Sequence, residues 1–184
     1  HMDGARLWES RAFYGRSHAE IVEGFASVYV SVYKGLGGLA GAVLAGDSAF
    51  IDEARLWRSR MGGTLVHQSP MIASAAMRLD ARLGALDACY ARTLSLAEAL
   101  GGVTGLRINP ARPQTNLIHL YFDAPAQDVT DRRDAIAERD GVWVIGDARP
   151  ADTPGWSFCE LYVGDTLAEL DNETVAARFA QLLG

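Results

Sequence analysis

The chain has 184 residues, 49% of them apolar and 22% charged, the profile of a globular protein long enough to bury a real core. A net charge of -6 without any basic run excludes the electrostatic footprint that holds nucleic acid or an anionic membrane. No uninterrupted apolar run reaches the roughly 18 residues of a membrane span and no signal-peptide pattern is present. Cys89 and Cys159 are too few and too far apart for a disulfide framework or a zinc site, so a reducing cytoplasm and two small buried hydrophobes are expected.

In chain order, residues 17–25 predict a short helix with Ser17 as N-cap and Glu20 at the capping-box position. Val28, Val30 and Val32 then alternate with Tyr29, Ser31 and Tyr33, a period-2 strand expected to end at Lys34, with an exposed sheet edge near 28–33. After a glycine-rich turn, residues 40–45 read as a second, buried strand. Asp47 or Ser48 caps a helix carrying Phe50, Ala54, Trp57 and Met61 at helical spacing, and Gly62 with Gly63 ends it. A longer helix begins near Pro70 and runs to Gly101, with Ile72, Ala76, Leu79, Leu83, Leu86, Tyr90 and Leu94 on one face. Its length suits a coiled-coil seam or a helix spanning two packed units, and the second is the preferred reading.

Beyond residue 102 the pattern changes to short strands: 105–109, 115–123, 142–145 and 158–163. A polar helix is expected at about 126–139 and a last helix at 172–183. These read as a small α/β unit with a mainly antiparallel sheet and helices on one face.

Sixteen arginines supply the fixed positive charge against a single lysine, Lys34, in Ser31-Val32-Tyr33-Lys34-Gly35-Leu36-Gly37. Arginine cannot stand in where a neutral, nucleophilic amine is needed, because its guanidinium stays protonated. Such amines form Schiff bases with carbonyl cofactors, pyridoxal phosphate among them. On the count alone, the favoured reading of Lys34 is a solvated leftover of arginine-rich codon usage. Its surroundings favour chemistry. Asp3 lies thirty-one residues upstream, and a carboxylate beside the pyridine nitrogen of that cofactor keeps the ring protonated and electron-drawing. An aspartate and a lysine at the ends of neighbouring strands would clamp one ring from opposite sides.

His1-Met2-Asp3-Gly4-Ala5-Arg6, the lysine segment 31–37 and Gly41-Ala42-Val43-Leu44-Ala45-Gly46 together resemble the L-threonine aldolase / β-eliminating lyase family. The similarity continues through Phe50 to Gly63, and beyond about residue 80 it rests on element order. The resemblance implies an α/β fold: the C-terminal part of a pyridoxal-phosphate fold-type-I large domain, a mixed sheet with helices, followed by a small α/β domain with a mainly antiparallel sheet. The expected division is 1–80 for the end of the large domain, 81–102 for the connecting helix and 103–184 for the small domain. Relatives carry an N-terminal half that grips the cofactor phosphate, so the chain reads as a fragment, or as one half whose partner segment lies elsewhere.

By the same resemblance Lys34 is the catalytic residue that binds pyridoxal 5'-phosphate covalently, Asp3 holds the pyridine nitrogen and Arg6 lies beside the cofactor. His67 would touch the cofactor phosphate across a subunit interface, or else cap a helix or sit at the surface. No metal is implied. The implied reaction is cleavage of the Cα–Cβ bond of a 3-hydroxy amino acid of the threonine or allo-threonine type, giving glycine and an aldehyde. The alternatives are β-elimination on a related amino acid, or an incomplete fragment serving as a dimerisation module. A homodimer or homotetramer is implied, with an amino acid as substrate.

One position departs from the family. Trp156 stands near the position of the arginine that grips the substrate carboxylate in threonine aldolases, so either Arg149 or Arg112 substitutes from a neighbouring loop or the substrate is not an ordinary α-amino acid. The stretch Gly35-Leu36-Gly37-Gly38-Leu39-Ala40 also fits the dinucleotide fingerprint. That motif needs a helix at once and an acid about 20 residues on, and neither is expected here.

Overall fold

Met2–Asp3 (β1) leaves the sheet at Gly4, whose N–H donates to the Tyr29 carbonyl at 2.7 Å. A Cβ at this position would lie 2.5 Å from the same oxygen, so only glycine lets the chain turn so tightly against its neighbour. The computed structural model describes residues 1–184, which divide into two compact units, His1–Asp87 and Ala88–Gly184. The boundary falls inside one helix. No helix is long and apolar enough to cross a membrane.

In the first unit, Leu7–Tyr14 (α1) and His18–Val22 (α2) make the crossover from β1 to the parallel strand Ser27–Ser31 (β2). Ser17 caps α2 with the expected capping box, although the helix ends earlier than its sequence suggests. α1, which directly follows the motif ending at Arg6, was not expected. Leu7, Val28 and Val30 form a small core with Met2, Trp8, Ile21 and Val22 around it. β2 is the middle strand, not an edge: Met2 and Asp3 pair with Val28 and Tyr29 on one side, and Ala42–Gly46 (β3) pairs antiparallel on the other.

β2 stops at Ser31, three residues before the lysine. The Val32 carbonyl accepts Gly38 N–H at 2.8 Å, and Gly37 N–H closes a tight turn on the Lys34 carbonyl at 2.9 Å. Gly37 takes a φ of 67°, in the left-handed region. The turn leads into an antiparallel hairpin strand, which leaves no helix N-terminus for a dinucleotide.

β3 was expected to be buried and is exposed along its whole length, since it is an edge strand that no element of this chain covers. Ser48–Arg60 (α3), capped by Asp47, also exposes Phe50, Leu56 and Trp57. The groove between β2, β3 and Ser69–Leu100 (α4) encloses about 560 Å³ and is lined by Val30, Val43, Leu65, Met71 and Ile72 among others.

In the second unit, Leu106–Asn109 (β4), Leu117–Phe122 (β5), Arg149–Pro150 (β6) and Ser157–Tyr162 (β7) form an antiparallel sheet in the order β4-β5-β7-β6. Alternate residues Leu106, Ile118, Leu120, Phe122, Cys159 and Leu161 join a core with residues of Ala126–Asp140 (α5) and Asn172–Gln181 (α7). Phe122 and Phe179 stack there at 6.4 Å. The short helix Asp165–Ala168 (α6) precedes α7. Residues 142–145 are not the expected strand. Ile145 is buried and Val142 and Val144 pack beneath it. Trp143 turns outward under the Arg133 guanidinium at 4.2 Å, and the Gly146 carbonyl is taken by Arg133 at 2.8 Å. The segment is pinned by a side chain, and β6 takes the edge of β7 instead.

Candidate active site

Because β1 and β2 run parallel and in register, their C-terminal ends open on the same side. Asp3 closes β1 opposite Tyr29, and Lys34 lies three residues past the end of β2. Asp3 is exposed, and its Oδ1 accepts Ala5 N–H at 3.0 Å, which orients the carboxylate with respect to its own loop. Lys34 is half-buried, with Nζ 5.8 Å from the centre of the Tyr33 ring.

Two hydrogen bonds tie the ends of the strands together. The Ser31 hydroxyl donates to the Ala5 carbonyl at 2.6 Å, and the Trp8 indole N–H donates to the Ser31 carbonyl at 2.9 Å. His1 Nδ1 and the Ser27 hydroxyl, further back on the same pair of strands, lie 2.8 Å apart. Tyr29 stands beside Asp3, and its phenol is pushed above the ordinary tyrosine value, first by desolvation, then by its hydrogen bond with Tyr33 and by the Asp3 charge.

Arg6 is half-buried and its Nη1 donates to Glu9 Oε1 at 3.3 Å. The same oxygen accepts Gly35 N–H at 3.0 Å, and Arg82 Nε donates to the Gly35 carbonyl at 3.1 Å. Asp3, Arg6 and Lys34 are thus brought to two loops joined by side chains. His67 is not among them: it is exposed on the connection between α3 and α4, and the chain gives it no hydrogen bond or ion pair. Trp156, in the second unit, lies under the Arg107 guanidinium at 4.6 Å, and the two share a groove with Asn109, Tyr121 and Thr153. The cation on Trp156 is neither of those the sequence suggests. Arg149 is exposed on β6 opposite Phe158, and Arg112 is exposed in the loop after β4.

Sequence reasoning passed over Glu9, Ser31, Trp8, Tyr29 and Arg82. Only Ser31 and Tyr29 carried a signal, as neighbours of Lys34 on a strand. Glu9 and Arg82 carry none, since each looks like a charged residue on a solvated helix.

The fold that these two units define is that of the fold-type-I pyridoxal-phosphate enzymes. A candidate L-allo-threonine aldolase from Listeria monocytogenes EGD-E matches with a TM-score of 0.89 and 37% identity, over 98% of this chain and 51% of its own. A candidate aromatic amino acid β-eliminating lyase/threonine aldolase from Exiguobacterium sp. 255-15 matches with a TM-score of 0.87 and 39% identity, over 98% of this chain and 50% of its own. Sphingomonas wittichii serine palmitoyltransferase, at 16% identity and a TM-score of 0.64, shares the fold alone over 90% of this chain and 41% of its own. The chain belongs to the β-eliminating lyase family, whose profile matches residues 1–124. Low-specificity L-threonine aldolase 1 of Arabidopsis thaliana is 30% identical over 145 residues, which are 79% of this chain and 40% of the plant protein. The chain therefore spans less than half the length of that curated relative and about half that of the two similar structures.

Proposed function

We propose that this chain supplies the lysine-bearing half of a pyridoxal-phosphate lyase that cleaves the Cα–Cβ bond of a 3-hydroxy amino acid, of the threonine or allo-threonine type, to glycine and an aldehyde. The observation that carries the reading is the pairing of the only lysine with an exposed aspartate at the ends of two adjacent parallel strands. The donor set suits the cofactor: an amine on a braced turn, a carboxylate with one oxygen already oriented, and an arginine next in the chain to the residue that orients it. Pyridoxal phosphate, when bound, draws off the electron pair left at the substrate Cα.

In this reading Lys34 holds the cofactor covalently through Nζ, and Asp3 keeps a proton on the pyridine nitrogen. Arg6, paired to Glu9, places positive charge beside them. Residues 1–80 would then be the end of the large domain, 81–102 the connecting helix and 103–184 the small domain. β-Elimination from a related amino acid is the second reading, favoured by the family assignment. A dimerisation module without catalysis is the third, favoured by the exposed apolar face of β3 and α3.

Borohydride reduction of the full-length protein with pyridoxal phosphate, followed by peptide mapping, should place a pyridoxyl adduct on Lys34. An adduct elsewhere, or none, defeats the assignment. A panel of 3-hydroxy amino acids and β-substituted alanines, assayed for aldehyde and for pyruvate plus ammonia, decides the reaction. Pyruvate without aldehyde rejects aldol cleavage, and turnover of neither class leaves the dimerisation module.

A further inference from the structure

We propose that Glu9 is the positioning residue of the lysine turn, holding the backbone that carries the Lys34 amine; the inference rests on Lys34 as the cofactor-bearing residue. The peptide between Lys34 and Gly35 is held at both of its polar atoms. Its N–H donates to Glu9 Oε1 at 3.0 Å, and its carbonyl, that of Lys34, accepts Gly37 N–H at 2.9 Å. A planar peptide fixed at both ends leaves the lysine Cα no freedom about its following bond. The next carbonyl, that of Gly35, is taken by Arg82 at 3.1 Å. The amine is thus carried by a braced backbone and moves through its own side-chain torsions alone.

The contact also accounts for the residue at position 35. A Cβ there would lie 2.4 Å from Glu9 Oε1 and 2.5 Å from Glu9 Cδ, so any side chain would expel the carboxylate. Glu9 itself is an unfavourable residue to bury. It is 2% exposed and its Oε2 has no hydrogen-bond partner. An apolar residue of the same volume would fill the space without that penalty, but it would accept no hydrogen bond from Gly35 and none from Arg6. What glutamate adds is position: one oxygen joins the turn of Lys34 to Arg6 of the aspartate loop.

The test uses the full-length protein with Glu9→Gln, Glu9→Met, Gly35→Ala and the double variant Glu9→Met/Gly35→Ala. The apo form is melted, and incorporation of pyridoxal phosphate at Lys34 is followed by absorbance and by the borohydride-trapped peptide. Glutamine keeps an oxygen acceptor and should incorporate within about threefold of the wild-type rate. Methionine keeps volume without an acceptor and should slow incorporation about tenfold or more, the scale of a lost charge-assisted hydrogen bond. Gly35→Ala should slow it comparably, and the double variant should be no slower than the worse single variant, because one contact is being removed twice. Equal rates for Gln and Met, effects that multiply in the double variant, or rates that follow apo melting temperature alone would overturn the role of Glu9 while leaving the Lys34 adduct intact. Absence of that adduct in the wild-type protein would instead overturn the assignment of Lys34, and this inference with it.

Discussion

Ser31→Ala separates the tie between the strand ends from everything else at the site. Ser31 is 1% exposed, its hydroxyl donates to the Ala5 carbonyl at 2.6 Å, and its own carbonyl accepts the Trp8 indole at 2.9 Å. Alanine keeps the second bond, which is to backbone, and removes the first. The Ala5 carbonyl is then left without its donor, at a cost of about 1–3 kcal/mol. Loss of a hydroxyl creates only a small void, so the hydrogen bond dominates. The urea midpoint should fall by that energy with the slope unchanged. Ala5 N–H orients Asp3, so if Asp3 holds the cofactor as proposed, a loosened loop weakens that hold. The same 1–3 kcal/mol sets the ceiling, a loss of about 5- to 150-fold in cofactor affinity. Urea denaturation and an absorbance titration with pyridoxal phosphate measure the two effects. A variant with native midpoint and native affinity would refute the idea that this hydroxyl couples the strand ends.

Cys159 is 3% exposed and burial pushes its thiol up to about 12, so at pH 8 it should not react with an aromatic disulfide until urea unfolds the chain; labelling of Cys159 in the folded protein, seen by peptide mapping, contradicts this. Asp140 is held well below the ordinary carboxylate value by its hydrogen bonds with Arg139 and then Arg178. A depressed folded pKa stabilises above the unfolded value, near 3.9, and that contribution is lost as pH falls below it. Asp140→Asn should therefore flatten the acid side of the stability profile, and an unchanged profile would exclude the pairing as a source of acid sensitivity. Met61, Val66 and Met77 are 79%, 91% and 84% exposed on one unit, and with the groove beside β3 they favour a homodimer or homotetramer of the full-length protein. Sedimentation should show the assembly, with Val66→Lys and Met77→Lys shifting it toward monomer; a monomer with full cofactor occupancy contradicts it.

In the second unit β4, β5 and β7 were legible because each of these strands buries one face. Leu106, Leu120, Phe122 and Cys159 face the core, while Arg107, Tyr121 and Phe158 face away, and this alternation is written directly in the residues. The segment 142–145 is four apolar residues in a row, as a buried strand would be, yet it is not a strand, because Arg133 from another element captures the carbonyl at Gly146. In the first unit the residues of 40–45 read as buried, yet β3 lies exposed. Apolarity records that a strand is meant to be covered and says nothing of whether this chain supplies the cover.

At the site, residue chemistry by itself marked Lys34 and Asp3 as candidates, a lone amine and a carboxylate that one cofactor ring would need together, and the family resemblance added Arg6. Tertiary structure alone decided how they are held. Glu9 reads as a solvated helix charge until Gly35, twenty-six residues later, is folded against it, and Ser31 gains its partner only when β1 and β2 pair in register. Hydrogen-bond partners across a parallel crossover leave no periodicity in sequence, because their spacing is set by the length of the connection and not by the repeat of a helix or strand.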